Sequence, residues 1–373
     1  MRLHDGAVYL DANATVPQCR EALEAMLEAE NRSFANPSAP YPAGKKSRET
    51  LDSARASILS KLGLEGRLVF TGSGTEANHL AILSAAAVRP EKRVLMSAIE
   101  HPSCLGLIEK LRGSGVKTEL FGIDVDGTAD LSRLGTLLEE PASLVVLMCA
   151  HNETGVVQPV ARALEMCRGS GVQFHTDAVQ AFGKIRLPLS GGCPDTLSIA
   201  AHKIGGPKGI GALFFREGTE IIPMLSGGGQ EGGLRASTEA VPLAAAFAAA
   251  AEAADHGMFG TLAEIRDMME EGIRDIAPDA DFHGKSAPRL PNTSFFSLPG
   301  IDGRKVQQEL AARGFFVGTG SACHGAGSEI PAVLVEMKRP AASFPLRVSI
   351  SRQTTGKEIE GFLEALAEAI KVV

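Results

Sequence analysis

From about residue 66 to 250, short unbroken apolar runs alternate with longer segments whose apolar positions recur at helical spacing. The runs at 67–71 (RLVFT), 93–98 (RVLMSA), 143–150 (SLVVLMCA), 172–178 (VQFHTDA), 195–200 (DTLSIA) and 211–216 (GALFFR) lack the polar alternation of a half-exposed strand. They read as strands buried on both faces. Helical patterns at 76–87, 103–112, 131–139 and 160–168 separate many of them. This alternation predicts an α/β fold with a mainly parallel sheet covered on both sides. The Ala-rich stretch 242–254 follows a Ser237-Thr238 cap signal and predicts a long packed helix. Beyond residues 256–257 the pattern changes to helices at 262–277, 304–313 and 358–372 with short strands near 293–297, 315–317 and 346–350. That is a smaller α+β unit. No repeat or low-complexity linker intervenes, so the two parts should pack closely.

Composition narrows the functional classes. The chain has 373 residues, and 44% hydrophobic against 22% charged residues supplies ample core, which excludes disorder as the dominant state. At about 150 residues per domain the length suggests roughly two domains. The net charge of −7 and the absence of basic runs argue against a nucleic-acid surface or a polybasic membrane patch. The longest apolar stretch, 243–251, falls well short of the ~18–20 residues of a membrane helix. The N-terminal MRLHDGAVYLDANAT has no basic-then-apolar leader pattern, and a cytoplasmic location is expected. Six scattered cysteines form no CxxC pair, so neither disulfides nor a metal site is expected.

Four segments carry candidate chemistry. Thr71-Gly72-Ser73-Gly74-Thr75-Glu76-Ala77-Asn78 follows a strand and opens a helix, a geometry suited to phosphate because helix N-termini offer N–H groups and a positive dipole end. It is not a Walker loop, and alone it is equally a structural turn. In Phe174-His175-Thr176-Asp177-Ala178-Val179-Gln180, an Asp ends a strand where open α/β sheets bind ligands, although it could equally cap the next helix. Ala200-Ala201-His202-Lys203 leads a lysine from a strand into a Gly/Pro loop. Cys323 lies within the four glycines of 318–328, unlike Cys104, Cys149 and Cys167, which read as buried and inert.

Taken in order, YLDANAT, NPS, TGSGTEAN, EH, HNETG, FHTDAVQ, AAHK, GGGQE…R…ST, GSAC and LRVS form a series that resembles the class V aminotransferases. Among these it is most similar to the NifS/IscS-like cysteine desulfurases, from Tyr9 to beyond Arg347. The resemblance implies a PLP-dependent transferase fold (aspartate aminotransferase-like). Residues 13–256 would form a large domain that binds pyridoxal 5′-phosphate (PLP), and 1–12 with 257–373 a small domain carrying the cysteine loop. It implies that Lys203 forms a Schiff base with the cofactor and that Asp177 pairs with the pyridinium nitrogen. His101 would stack on the ring and move protons, Asn152 and Gln180 would hydrogen-bond the cofactor, and Gly74, Thr75 and His202 would hold its phosphate. Thr238 would reach the phosphate of a second subunit, which implies a homodimer. Arg347, with Asn13, Ala14 and Asn152, would bind the substrate, the guanidinium gripping its carboxylate. Cys323 would take sulfur from L-cysteine as a persulfide, leave L-alanine, and pass the sulfur to an acceptor such as an Fe–S scaffold or a thiolation partner.

The chain departs from the family pattern at several positions. Ala200 stands where the family has a phosphate-binding Ser, His151 replaces the first Asn of NNETG, and Tyr41 replaces the His of NPSxxH. A related class V lyase or aminotransferase acting on another small amino acid, including selenocysteine or cystine, is the competing reading. A non-catalytic binding role is the third, and the intact Lys203, Asp177, His101 and Cys323 weigh against it.

Overall fold

All six uninterrupted apolar runs form strands of one seven-stranded sheet, in the spatial order Arg67–Thr71, Gly211–Phe215, Thr196–Ala200, Gln173–Asp177, Ala142–Val146, Arg93–Ser97, Thr118–Phe121. Only Gly211–Phe215 runs antiparallel to its neighbours, so the C-terminal ends of the other six share one edge of the sheet. The structure is a computed structural model that describes the chain apart from residues 4–5, 255–257, 321–329 and 340–343 and the side chains of 258 and 259. The expected nucleophile, Cys323, lies outside the described residues. Every residue of Ala142–Val146, Thr196–Ala200 and Gly211–Phe215 is buried, which explains their continuous apolar sequence. The edge strand Thr118–Phe121 buries only Phe121, so its polar residues hide it from a search for apolar runs.

The sequence pattern also misses the helices Arg20–Arg32 and Pro42–Leu62, which pack with Val241–Ala253. Arg20–Arg32 buries only Ala22 and Ala29, too small a stripe to register as periodicity. Pro42–Leu62 buries Gly44 and Ser47 along with Leu51, Ala54, Ile58 and Leu62. It starts on proline and ends on Gly63 at φ +64°, whose N–H reaches back to the Leu59 and Ser60 carbonyls. The Ala-rich helix forms as expected, but Ser237 and Thr238 do not cap it. Its N-cap is Ala240, and Ser237 sits at φ +126°, a conformation outside any helix entry. The helix expected over 103–112 is two pieces, Pro102–Leu105 and Ile108–Gly113, broken at Gly106, where a weak helix former gives way.

The C-terminal part centres on Thr293–Ser297, which pairs antiparallel with Asp281–Phe282 and Leu346–Ser349. Phe296, Val348, Met269, Leu310, Phe362 and Leu366 share one apolar cluster with Val8 and Leu10 from the N-terminus. Val8–Tyr9 also pairs with Phe315–Phe316. A bridge from Asp11 to Ser349 and another from Gly318 to Arg347 then draw residues 11–14 and Arg347 to the rim of the large sheet. No helix among the described residues is long and apolar enough to cross a membrane.

Candidate active site

The shared edge of strand C-termini opens onto a cavity of about 270 Å³. Its lining includes Asn13, Ala14, Gly74, Thr75, His101, Asn152, Asp177, Gln180, His202, Lys203 and Arg347, so most of the residues singled out from the sequence converge there. Thr238 does not line it and is exposed.

One corner is built for an anion. Ser73 Oγ accepts from the Glu76 N–H at 3.1 Å and caps the helix Gly74–Val88. Glu76 reaches back to the Gly72 N–H at 2.7 Å and is held in turn by Arg235 at 2.9 Å. Gly74 and Thr75, in the first turn of that helix where N–H groups lack intrahelical acceptors, both line the cavity. Gly74 is required by close approach, since a Cβ there would lie 2.8 Å from Val179 Cγ2. His202 completes the corner. Burial and the charges of Lys203, Lys208 and Lys184 lower its pKa to about 4, and its Nδ1 lies 3.1 Å from Thr15 Oγ1.

A second corner holds the buried Asp177. Its Oδ1 accepts from the Val179 N–H at 2.8 Å and its Oδ2 from Asn78 Nδ2 at 2.7 Å. The same Asn78 amide reaches Ser103 Oγ, which lies 2.8 Å from His101 Nδ1. His101 Nδ1 also accepts from the Ser103 N–H at 3.1 Å, so proton traffic through this ring would use Nε2. Asn78 Oδ1 faces His175 Nε2 at 3.1 Å, and burial pushes the pKa of His175 down to about 3, fixing a neutral ring. Behind them Glu100 accepts from the Met148 N–H at 2.7 Å, and burial with the nearby Asp177 charge raises its pKa to about 8. Sequence reasoning gave no role to Asn78, Ser103, His175 or Glu100. Asn78, His175 and Glu100 lie within quoted motifs and Ser103 just beyond one, but Asn78, Glu100 and His175 act through partners far along the chain.

At the third corner, Lys203 Nζ donates to the Asn13 and Ala14 carbonyls at 2.7 and 2.8 Å. Asn13 is the junction of this region. Its carbonyl also accepts from Gln180 Nε2, and its side chain meets Lys184 Nζ, Asn292 and Thr293. The buried Lys184, missed from sequence, donates to Gln180 Oε1 at 2.7 Å, and burial with the charges of Lys203 and Arg347 holds its pKa well below the usual lysine range. The signal for it was the i,i+4 spacing from Gln180. Tyr9 ties the turn together, its hydroxyl 2.9 and 3.1 Å from the Asp11 and Thr15 carbonyls.

Arg347 stands opposite, donating through Nη1 to the Asn152 carbonyl at 3.1 Å and through Nη2 to Asp11 Oδ1 at 2.7 Å. His151 is buried beside it. Burial and the charges of Arg347 and His101 lower its pKa to about 3, and its Nδ1 accepts from the Thr154 N–H at 3.2 Å. The neutral ring thus serves the HNETG turn. Cys104, Cys149 and Cys167 are buried as expected, and burial pushes Cys149 and Cys167 up to about 12 and Cys104 well above its usual value, which disfavours the reactive thiolate.

The arrangement offers an amine, a buried carboxylate, an imidazole and a guanidinium around one cavity. The chain's known relatives have the same overall build. The family description "Aminotransferase class-V" matches residues 8–362. The chain is 40% identical over 365 residues to a cysteine desulfurase of Cereibacter sphaeroides, covering 96% of this chain and 94% of that one. It is 37% identical to the cysteine desulfurase NifS of Azotobacter vinelandii, covering 95% and 90%. Among solved structures it superposes on a NifS-like protein from Rickettsia africae with a TM-score of 0.88 at 28% identity, over 98% of this chain and 99% of that one. With a match spanning both the cavity and the fold that frames it, the chain belongs to the aminotransferase class-V family.

Proposed function

We propose that this chain is a PLP-dependent cysteine desulfurase that converts L-cysteine to L-alanine and leaves sulfane sulfur on Cys323. The observation that carries the reading is the convergence of Lys203, Asp177 and Arg347 on one cavity in a chain whose full-length relatives bear that name.

The donor set fits the cofactor. A helix N-terminus with His202 suits the phosphate, the buried Asp177 suits a protonated ring nitrogen, and Lys203 supplies the amine for its aldehyde. Bound there, PLP would supply an electron sink for carbanion chemistry at the substrate carbon. The remaining roles belong to the chain. Asp177, held by two hydrogen bonds, would keep a proton on the ring nitrogen. Lys203, once it leaves the Asn13 and Ala14 carbonyls, would move protons at the substrate's α-carbon, and His101 would move them at neighbouring atoms. Arg347 would orient the substrate carboxylate. The Cys323 thiolate would then attack the substrate sulfur. The C–S bond breaks, an S–S bond forms, and the carbon takes a proton, so L-cysteine plus a thiol gives L-alanine plus a persulfide without an external oxidant.

We take residues 13–256 as the cofactor domain and 1–12 with 257–373 as the small one, supported by the common apolar cluster of Val8, Leu10 and Phe362. A homodimer is supported by the exposure of Thr238 and of Ile222, Met224 and Leu225, with Leu225 hydrogen-bonded through its backbone to Ala236. A cytosolic setting and a sulfur-accepting protein partner complete the proposal.

Cys323→Ala tests it. The variant should keep the cofactor and its spectral response to L-cysteine, yet form neither persulfide nor alanine. Alanine release at the wild-type rate would show that Cys323 is not the sulfur acceptor, and pyruvate or another keto acid in place of alanine would favour a lyase or aminotransferase. A further expectation concerns Ala200, whose methyl lies 3.5 Å from the Cβ position of Gly74 at the anion corner. Ala200→Ser should tighten cofactor binding by about tenfold to a hundredfold, the worth of one hydrogen bond to a charged group. Dissociation constants measured in a Lys203→Ala background, where no imine masks the difference, check this. Equal constants would mean that the phosphate is already fully held.

A further inference from the structure

Arg347 is 2% exposed, and its one carboxylate partner among the described residues is Asp11, 2.7 Å from Nη2. Nη1 is taken by the Asn152 carbonyl, and Nε is buried without an acceptor. The pair is tightly framed. Gly318 and Arg347 exchange both backbone hydrogen bonds, and a Cβ on Gly318 would lie 3.1 Å from both Arg347 Nη2 and Asp11 Oδ1. Asp11 is itself fixed by its bridge to Ser349 and by the Tyr9 hydroxyl on its carbonyl. The resting guanidinium is therefore already neutralised by the chain.

Both two-nitrogen edges by which a guanidinium grips a carboxylate include Nη2. An incoming carboxylate must take the Nη2 hydrogen from Asp11 or bind beside it as a like charge, and either costs affinity. We propose that Asp11 is a specificity-determining counter-ion: it competes with the substrate's carboxylate for Arg347, holding down the affinity for amino acids and easing the departure of the carboxylate-bearing product. This rests on the reading that Arg347 receives the substrate carboxylate.

The test compares two unreactive amines on the cofactor-loaded enzyme, L-alanine with a carboxylate and ethylamine without one, titrated through the visible absorption of the bound cofactor. These probes involve no sulfur chemistry, so a failure of the desulfurase assignment does not affect them. Asp11→Asn should bind L-alanine about three- to thirtyfold more tightly, with ethylamine within about twofold of wild type. Asp11→Glu, which keeps the charge, should restore the weak binding of L-alanine, a rescue that a purely structural role would not give. Weaker or unchanged L-alanine binding relative to ethylamine in Asp11→Asn would overturn the proposal and make Asp11 a group that aims Arg347 productively. Arg347→Gln checks the underlying reading. Should it leave the L-alanine preference intact, the carboxylate binds elsewhere and the proposal falls with that assignment.

Discussion

Lys203→Ala should lower turnover of L-cysteine by at least about four orders of magnitude and leave the protein unable to retain PLP covalently. Lys203 is the lysine that lines the cavity shared with Asp177 and Arg347, on a short turn directly after the buried strand Thr196–Ala200. The other amine nearby, Lys184, does not line that cavity and is committed to Gln180 and Asn13 at 2.7 and 3.0 Å. It should not substitute. Borohydride reduction followed by peptide mass analysis reads the attachment, and alanine release reads turnover. A variant that kept both a reducible linkage and activity would remove Lys203 from the mechanism.

The second large effect is expected at Asp177. An Asn there keeps the shape but offers one acceptor oxygen where the carboxylate uses two, toward Asn78 and the Val179 N–H. It also removes the negative charge that would keep the cofactor's ring nitrogen protonated. Turnover of Asp177→Asn should fall about a hundred- to a thousandfold, the scale of losing one preorganised electrostatic contact, while the cofactor stays attached through Lys203. Steady-state kcat with a parallel count of bound cofactor separates the two effects. Activity within tenfold of wild type at full occupancy would show that the ring nitrogen needs no buried anion.

Much of this was readable in the sequence where burial is uniform. A strand such as Ala142–Val146 is buried at every residue and shows as an unbroken apolar run. The helix Arg20–Arg32 touches the core through two alanines and leaves no stripe to detect. The site divides in the same way. Lys203, Asp177 and Gly74 stand at strand ends and a strand–helix turn, where local pattern and ligand position coincide. The polar groups behind them depend on partners far along the chain. Asn78 meets Asp177 across 99 positions, and Arg347 meets Asp11 across 336. Nothing at either end of such a pair announces the other. Lys184 is the intermediate case, with a local i,i+4 tie to Gln180 but a role set by Asn13, 171 positions away.

The most direct test of the central claim is to incubate the cofactor-loaded enzyme with L-cysteine in the absence of reductant and to measure alanine, pyruvate and the mass of the peptide containing Cys323. A desulfurase gives alanine without pyruvate, together with a Cys323 peptide heavier by one sulfur atom in an amount matching the alanine of the first turnover. Pyruvate with inorganic sulfide and an unmodified Cys323 peptide would contradict the account and identify a lyase instead.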